Sequence, residues 1–102
     1  MTDWLGLEGR RVLVAGAGGI GAACAAAFAD AGSRVAVVDV SDARLERLDD
    51  RAIPLVEDLS TSEGCERGVS AAADKLGGLE VLVHAVGINT RTPVLDVDDE
   101  LW

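Results

Sequence analysis

Short apolar runs alternate with longer mixed segments along the chain. Arg11 to Ala15, "RVLVA", is brief, rich in β-branched residues and ends at a glycine, which predicts a buried strand. Gly19 to Ala31 is alanine-rich with Phe28 and predicts a helix stopped by Gly32. Arg34 to Val40, "RVAVVDV", reads as a second buried strand, and Ser41 can cap a short helix over Asp42 to Asp49. Ala52 to Glu57, "AIPLVE", reads as a third strand. Pro54 places it at a sheet edge, because proline has no N–H to donate to the ladder. Ser60-Thr-Ser-Glu63 has the spacing of a capping box and predicts a helix to about Leu76, ended by Gly77-Gly78. Leu79 to Val86, "LEVLVHAV", is a fourth strand. A loop follows over Gly87 to Asp96, and Asp98 to Trp102 begins another helix.

Strands separated by helices define the α/β class, and right-handed crossovers make the sheet parallel with helices on both faces. The expected strand order is 3-2-1-4. The length, 102 residues, fits one domain over residues 1–102. A chain of this size buries about two-thirds of the surface its unfolded form exposes.

Charge narrows the partners. The formal net charge of −9 repels a phosphate backbone or an anionic membrane surface, so neither nucleic acid nor membrane is expected. Val12 to Ala29 carries no charge and is long enough to consider as a membrane span. Its glycine cluster would break a helix in the middle, and it reads as strand, turn and helix instead. The N-terminus has acids before any apolar run, unlike a signal peptide. The expected location is cytoplasmic. Cys24 and Cys65 form no C-x-x-C pair and read as packing residues in a reducing compartment.

The candidate chemistry lies at the first strand-to-helix turn. Gly16-Ala-Gly-Gly-Ile-Gly21 is G-x-G-x-x-G, with a strand before it, a helix after it and Asp39 ending the next strand. Gly16 allows the tight turn, Gly18 lets backbone approach a pyrophosphate, and Gly21 lets the helix pack close. The first-turn N–H groups and the helix dipole attract phosphate. Asp39 accepts hydrogen bonds from the adenosine ribose hydroxyls. A 2′-phosphate about 4 Å from it would meet a repulsion of about 4 kcal/mol at an effective dielectric of about 20. No basic residue directly follows Asp39, so NAD is expected over NADP.

The segments "LEGRRVLVAG", the glycine turn, "VVDV", "EDLS", "LGGLEVLVHAVGI" and "DDELW" resemble the short-chain dehydrogenase/reductase family in order and spacing. The resemblance implies a Rossmann-like three-layer fold and covers the first part of a longer family member. It implies cofactor contacts from Gly16, Gly18, Gly19 and Ile20 in the turn. It also implies adenine contacts from Asp58 and Leu59, and ribose contacts from the backbone of Ala85 and Gly87. The family's usual Thr-Gly-x-x-x-Gly-Ile-Gly is here one residue shorter, with Ala15 in place of threonine. His84-Ala-Val-Gly87 stands where the family has Asn-Asn-Ala-Gly. His84, the only histidine, then replaces a structural asparagine and is expected to bond nearby backbone. Asn89 to Thr92 reads as a surface loop, and Trp4 and Trp102 as packing residues.

The resemblance also locates the family's catalytic serine and Tyr-x-x-x-Lys beyond position 102. The chain contains no tyrosine, so no catalytic residue and no metal ligand is assigned. Three readings remain: the NAD-binding part of an alcohol or ketone oxidoreductase, inactive alone; a non-catalytic NAD-sensing module; or one half of a split enzyme. A small-molecule substrate is expected only if a C-terminal half completes the site. The fourth strand would present an apolar edge, and the isolated chain is expected to self-associate through it, to fold only partly, or to need a partner segment.

Overall fold

The computed structural model describes residues 3–87 and 92–100. Four strands, β1 (Arg11–Ala15), β2 (Arg34–Asp39), β3 (Ile53–Val56) and β4 (Val81–His84), form one sheet in the order β3-β2-β1-β4. All three pairings are parallel, as the alternation of strands and helices requires. The connecting helices are α1 (Gly19–Asp30), the single turn α2 (Asp42–Leu45) and α3 (Ser62–Leu76). A 3-10 turn spans Val94–Asp96. Among the described residues no helix is long and apolar enough to cross a membrane.

The two faces of the sheet bury different sets. Val12, Val14, Val35 and Val37 point to the α1 side, where Ala25, Ala29 and Leu45 complete a core. Leu13, Ala15, Ala36 and Val38 point to the α3 side, against Ala72 and Leu76. Both long helices meet the sheet on small residues one turn apart: Gly21, Ala25 and Ala29 in α1, and Gly64, Gly68 and Ala72 in α3, whose buried stripe ends on the larger Leu76. Small side chains bring helix backbone close to the sheet, so the valine side chains fill the space between. Each fully buried valine or leucine contributes about 1.5–3 kcal/mol relative to exposure. At the far end of the sheet, the Arg34 guanidinium donates to the Leu76 carbonyl (2.8 Å) and Arg11 to the Gly77 carbonyl (2.6 Å), satisfying the last carbonyls of α3.

Several expectations are corrected. The helix after β2 stops at Leu45 rather than running to Asp49. Asp49 instead accepts from the Arg51 backbone and guanidinium (2.9 and 2.8 Å), which folds the chain into a turn before β3. The capping box at Ser60–Glu63 does not form. Thr61 is the N-cap of α3, accepting from the Gly64 N–H at 2.9 Å. Ser60 is taken by Asp58, whose carboxylate accepts both its N–H and its hydroxyl. β3 and β4 are shorter than the apolar runs that predict them, although Glu80 N–H and Ala85 N–H still bond to Arg11 and Ala15 across from β4. Trp4 is 80% exposed and packs no core. Pro54 lies on the edge strand β3, paired with Val37 alone. Asn89 to Arg91 and Trp102, and so the end of the helix expected from Asp98, lie outside the described residues.

Candidate functional site

The carboxyl ends of the parallel strands open on a cleft of about 580 Å³. Its floor is the turn after β1. Gly16 N–H continues the ladder to the Val38 carbonyl (2.8 Å), and then φ of +104° at Gly16 swings the chain away. Only glycine adopts that conformation without strain. A Cβ there would also lie 2.8 Å from the Ala85 carbonyl oxygen. Gly18 then opens α1 without any side-chain cap. The first helical bond runs from Ala22 N–H to the Gly18 carbonyl (2.8 Å), so the N–H groups before Ala22 have no acceptor within the helix.

A cradle for phosphate has a simple test: the space above it must be empty of protein yet too small for a side chain once filled. A Cβ built on Gly18 or Gly19 meets no protein atom within 4 Å, and both residues line the cleft. Unpaired N–H groups, the positive end of a 12-residue helix and bare backbone therefore converge there. Gly21 has a second task beside the close helix packing expected of it. A Cβ on Gly21 would fall 1.8 Å from the Gly16 carbonyl oxygen, so it closes the turn on itself as well as seating the helix.

Asp39 stands across from that turn at the end of β2. Its carboxylate is 6% exposed and accepts the Ala17 N–H on Oδ2 and the Ser41 N–H on Oδ1, each at 2.8 Å. Burial pushes its pKa up. The N–H bonds from Ala17 and Ser41, the Arg44 charge and the Val40 N–H outweigh that and hold the carboxyl below its ordinary range. Asp39 therefore ties the glycine turn to β2 as an anion. Ser41 accepts from Arg44 N–H (3.3 Å) and starts α2, which places Arg44 Nη1 3.7 Å from Asp39 Oδ2. On the far wall, Asp58 is held below the usual carboxylate range by hydrogen bonds from the Ser60 hydroxyl and N–H.

Of the residues expected at a site, Gly16, Gly18, Gly19, Asp39, Asp58, Leu59, Ala85 and Gly87 all line this cleft. Ile20 does not; it projects into solvent from the first turn of α1. His84 is exposed on β4 and makes no side-chain hydrogen bond among the described residues, so the backbone contact expected of it is absent. The cleft also includes Val40, Arg44, Ser60 and Val86, which sequence reasoning missed. Val40 was legible: it follows Asp39 just past the end of β2, where the chain leaves the buried sheet, and it is 62% exposed. Arg44 was legible only to a reader who took Ser41 as a cap and counted one turn onward.

Comparison with known proteins follows the same outline. The chain matches the family model described as short chain dehydrogenase over residues 10–102. It is 34% identical over 97 residues to an uncharacterised oxidoreductase of Schizosaccharomyces pombe, covering 94% of this chain and 37% of that protein. A 3-ketoacyl-(acyl-carrier-protein) reductase from Brucella melitensis, solved in complex with NADH, superposes with a TM-score of 0.81 at 34% identity. That match covers 93% of this chain and 41% of the reductase. A short chain dehydrogenase from Mycobacterium smegmatis gives a TM-score of 0.82 at 32% identity, over 92% of this chain and 43% of the other. The chain thus spans well under half the length of these proteins.

Proposed function

This chain belongs to the short-chain dehydrogenase family, and from that premise we propose that its cleft binds NAD(H) as the dinucleotide-binding part of an alcohol or ketone oxidoreductase. One observation carries the reading: a side-chain-free helix start at Gly18–Gly19 and the Asp39 carboxylate face the same cleft. The NADH held by the similar Brucella reductase supports the same ligand.

In this reading the N–H groups at the start of α1 hold the pyrophosphate. Asp39 offers its remaining lone pairs to the adenosine ribose, and Val40 and Leu59 flank the adenine. Asp58, braced by Ser60, takes the adenine amino group, while Ala85 and Gly87 pass beside the second ribose. The nicotinamide supplies hydride chemistry when bound. The chain itself offers no tyrosine to move a proton. Its one lysine, Lys75, sits in the last turn of α3, at the end of the sheet away from the cleft. Alone, the chain binds cofactor and turns over no substrate. A cytoplasmic location and self-association through β4 belong to the same proposal.

Titration of the full chain with NADH, followed by calorimetry or nicotinamide fluorescence, tests this. Saturable binding is expected, and Asp39→Ala should weaken NADH by about tenfold, about 1.4 kcal/mol, while weakening NADPH less. No detectable heat at millimolar NADH with folded protein would overturn the reading. Equal loss of both cofactors in the variant would remove the ribose role of Asp39.

A further inference from the structure

At the opposite end of the sheet from the cleft lies a second hollow, of about 290 Å³. The chain that enters β1 builds it against the end of α1. Gly9 N–H donates to the Gly32 carbonyl (2.9 Å), and the Ser33 hydroxyl donates to the Leu7 carbonyl (2.7 Å), so the two segments are fixed to each other. Trp4 and Leu5, 80% and 56% exposed, give the hollow an apolar wall. The charges around it are of one sign. Asp3, Glu8 and Asp30 line the hollow, and no lining residue is basic. Asp30 is paired with Arg51 (2.8 Å), and one Asp3 oxygen accepts the Leu7 and Glu8 N–H groups. The Glu8 carboxylate accepts no hydrogen bond among the described residues, while its stem lies against Gly32, whose would-be Cβ falls 3.1 Å from Glu8 Cγ. α1 also ends here with no basic residue in its last turn, so the negative end of its dipole is uncompensated.

We propose that this hollow is a docking site for an arginine side chain of a partner polypeptide, which lays its guanidinium on the Trp4 indole and its charge against Glu8 and Asp3. A hard divalent metal does not suit the place. It asks for six or more converging oxygens, and no group of three His, Cys, Asp or Glu among the described residues could hold a metal ion. An aromatic face instead attracts a diffuse organic cation, and the planar, weakly hydrated guanidinium stacks on it better than an ammonium. The aliphatic stem of arginine matches the apolar wall at Leu5. Each such contact is weak at a protein surface, and the volume lies at the lower limit of small-molecule sites, about 300 Å³. A free cation would therefore be held poorly. An arginine carried on a chain adds the contacts of its neighbours, so the partner is a polypeptide. The net charge of −9 steers a basic segment toward this chain. Because it lies beyond the amino ends of β1 and β2, the hollow is open whether or not the cleft is filled.

The test uses the full chain with Trp102→Phe, which leaves Trp4 as the single tryptophan. Its fluorescence is titrated with acetyl-Leu-Arg-Gly amide, with the same peptide carrying neutral citrulline for arginine, and with ethylguanidinium chloride. The arginine peptide should give a saturable change with a Kd of about 1 mM. The citrulline peptide and ethylguanidinium should each bind about tenfold more weakly or worse. Added salt should weaken the arginine peptide and spare the citrulline one. Glu8→Gln should weaken the arginine peptide by about threefold, and Trp4→Leu, followed by amide chemical shifts, should abolish its binding. Both residues are exposed, so the urea midpoint should stay where it is in either variant. Equal binding of the arginine and citrulline peptides overturns the proposal, since the hollow would then be an apolar surface only. Equal binding of ethylguanidinium and the peptide overturns the polypeptide partner in favour of a free cation. No fluorescence change with folded protein at about 10 mM peptide overturns it as well.

Discussion

Within one turn of chain, two glycines separate folding from binding. Gly21 lies 1.8 Å, measured from its would-be Cβ, from the Gly16 carbonyl oxygen, which is backbone and cannot step aside. Gly21→Ala should therefore cost stability, by about 1–3 kcal/mol or more. Gly18 has an ordinary φ of −70° and open space where a Cβ would go. Gly18→Ala should fold, losing no more than about 1 kcal/mol through a poorer N-cap, but should lose NADH affinity because its methyl occupies the phosphate cradle. Urea melts and NADH titrations on the two variants check this. A destabilised Gly18→Ala or a fully stable Gly21→Ala would reverse the assignment. The G-x-G-x-x-G spacing identified both glycines, because each is set by the local geometry of the turn, and the end of the next strand identified Asp39. It did not show that Asp39 spends a hydrogen bond on Ala17 N–H, 22 positions away.

At the scale of elements, the helices owe their placement to ends more than to interiors. Ser60 and Thr61 both carry hydroxyls at the start of α3, and only the latter caps it. Thr61→Ala should lower stability by about 1 kcal/mol, whereas Ser60→Ala should leave it nearly unchanged, since Asp58 still accepts the residue 60 N–H. Denaturant midpoints of the two variants distinguish the caps; a larger loss at Ser60 would restore it to that role. The capping-box pattern pointed to the right helix and the wrong hydroxyl, because Asp58, two residues upstream, competes for Ser60. Similarly, polar residues after Ser41 looked helical to Asp49, but Arg51 draws Asp49 and Asp30 into an ion-paired turn that ends the element early.

For the whole molecule, the open question is the sheet's exposed margin. β4 is an edge in the described sheet. Leu82 is in register with Leu13 and shares its face, yet α3 does not reach over it and it remains 65% exposed. An apolar edge strand of this kind pairs with other chains. Light scattering should give a concentration-dependent mass above the 10.5 kDa of one chain, and Leu82→Lys should move it toward the monomer. A sharp, reversible, monomeric melt at all concentrations would contradict this.

Local pattern sufficed for the class of fold, the strand order 3-2-1-4 and the glycine turn. Hydrophobic period, turn chemistry and crossover handedness act over a few residues or follow general chain sterics. The charge balance of the cleft is of another kind. Arg44 beside Asp39, the Ala17 N–H on Asp39 and the bare face of Leu82 depend on which groups of different elements fold into contact. Distances between side chains on different elements, and the dielectric around them, exist only once the sheet has assembled and water has been excluded.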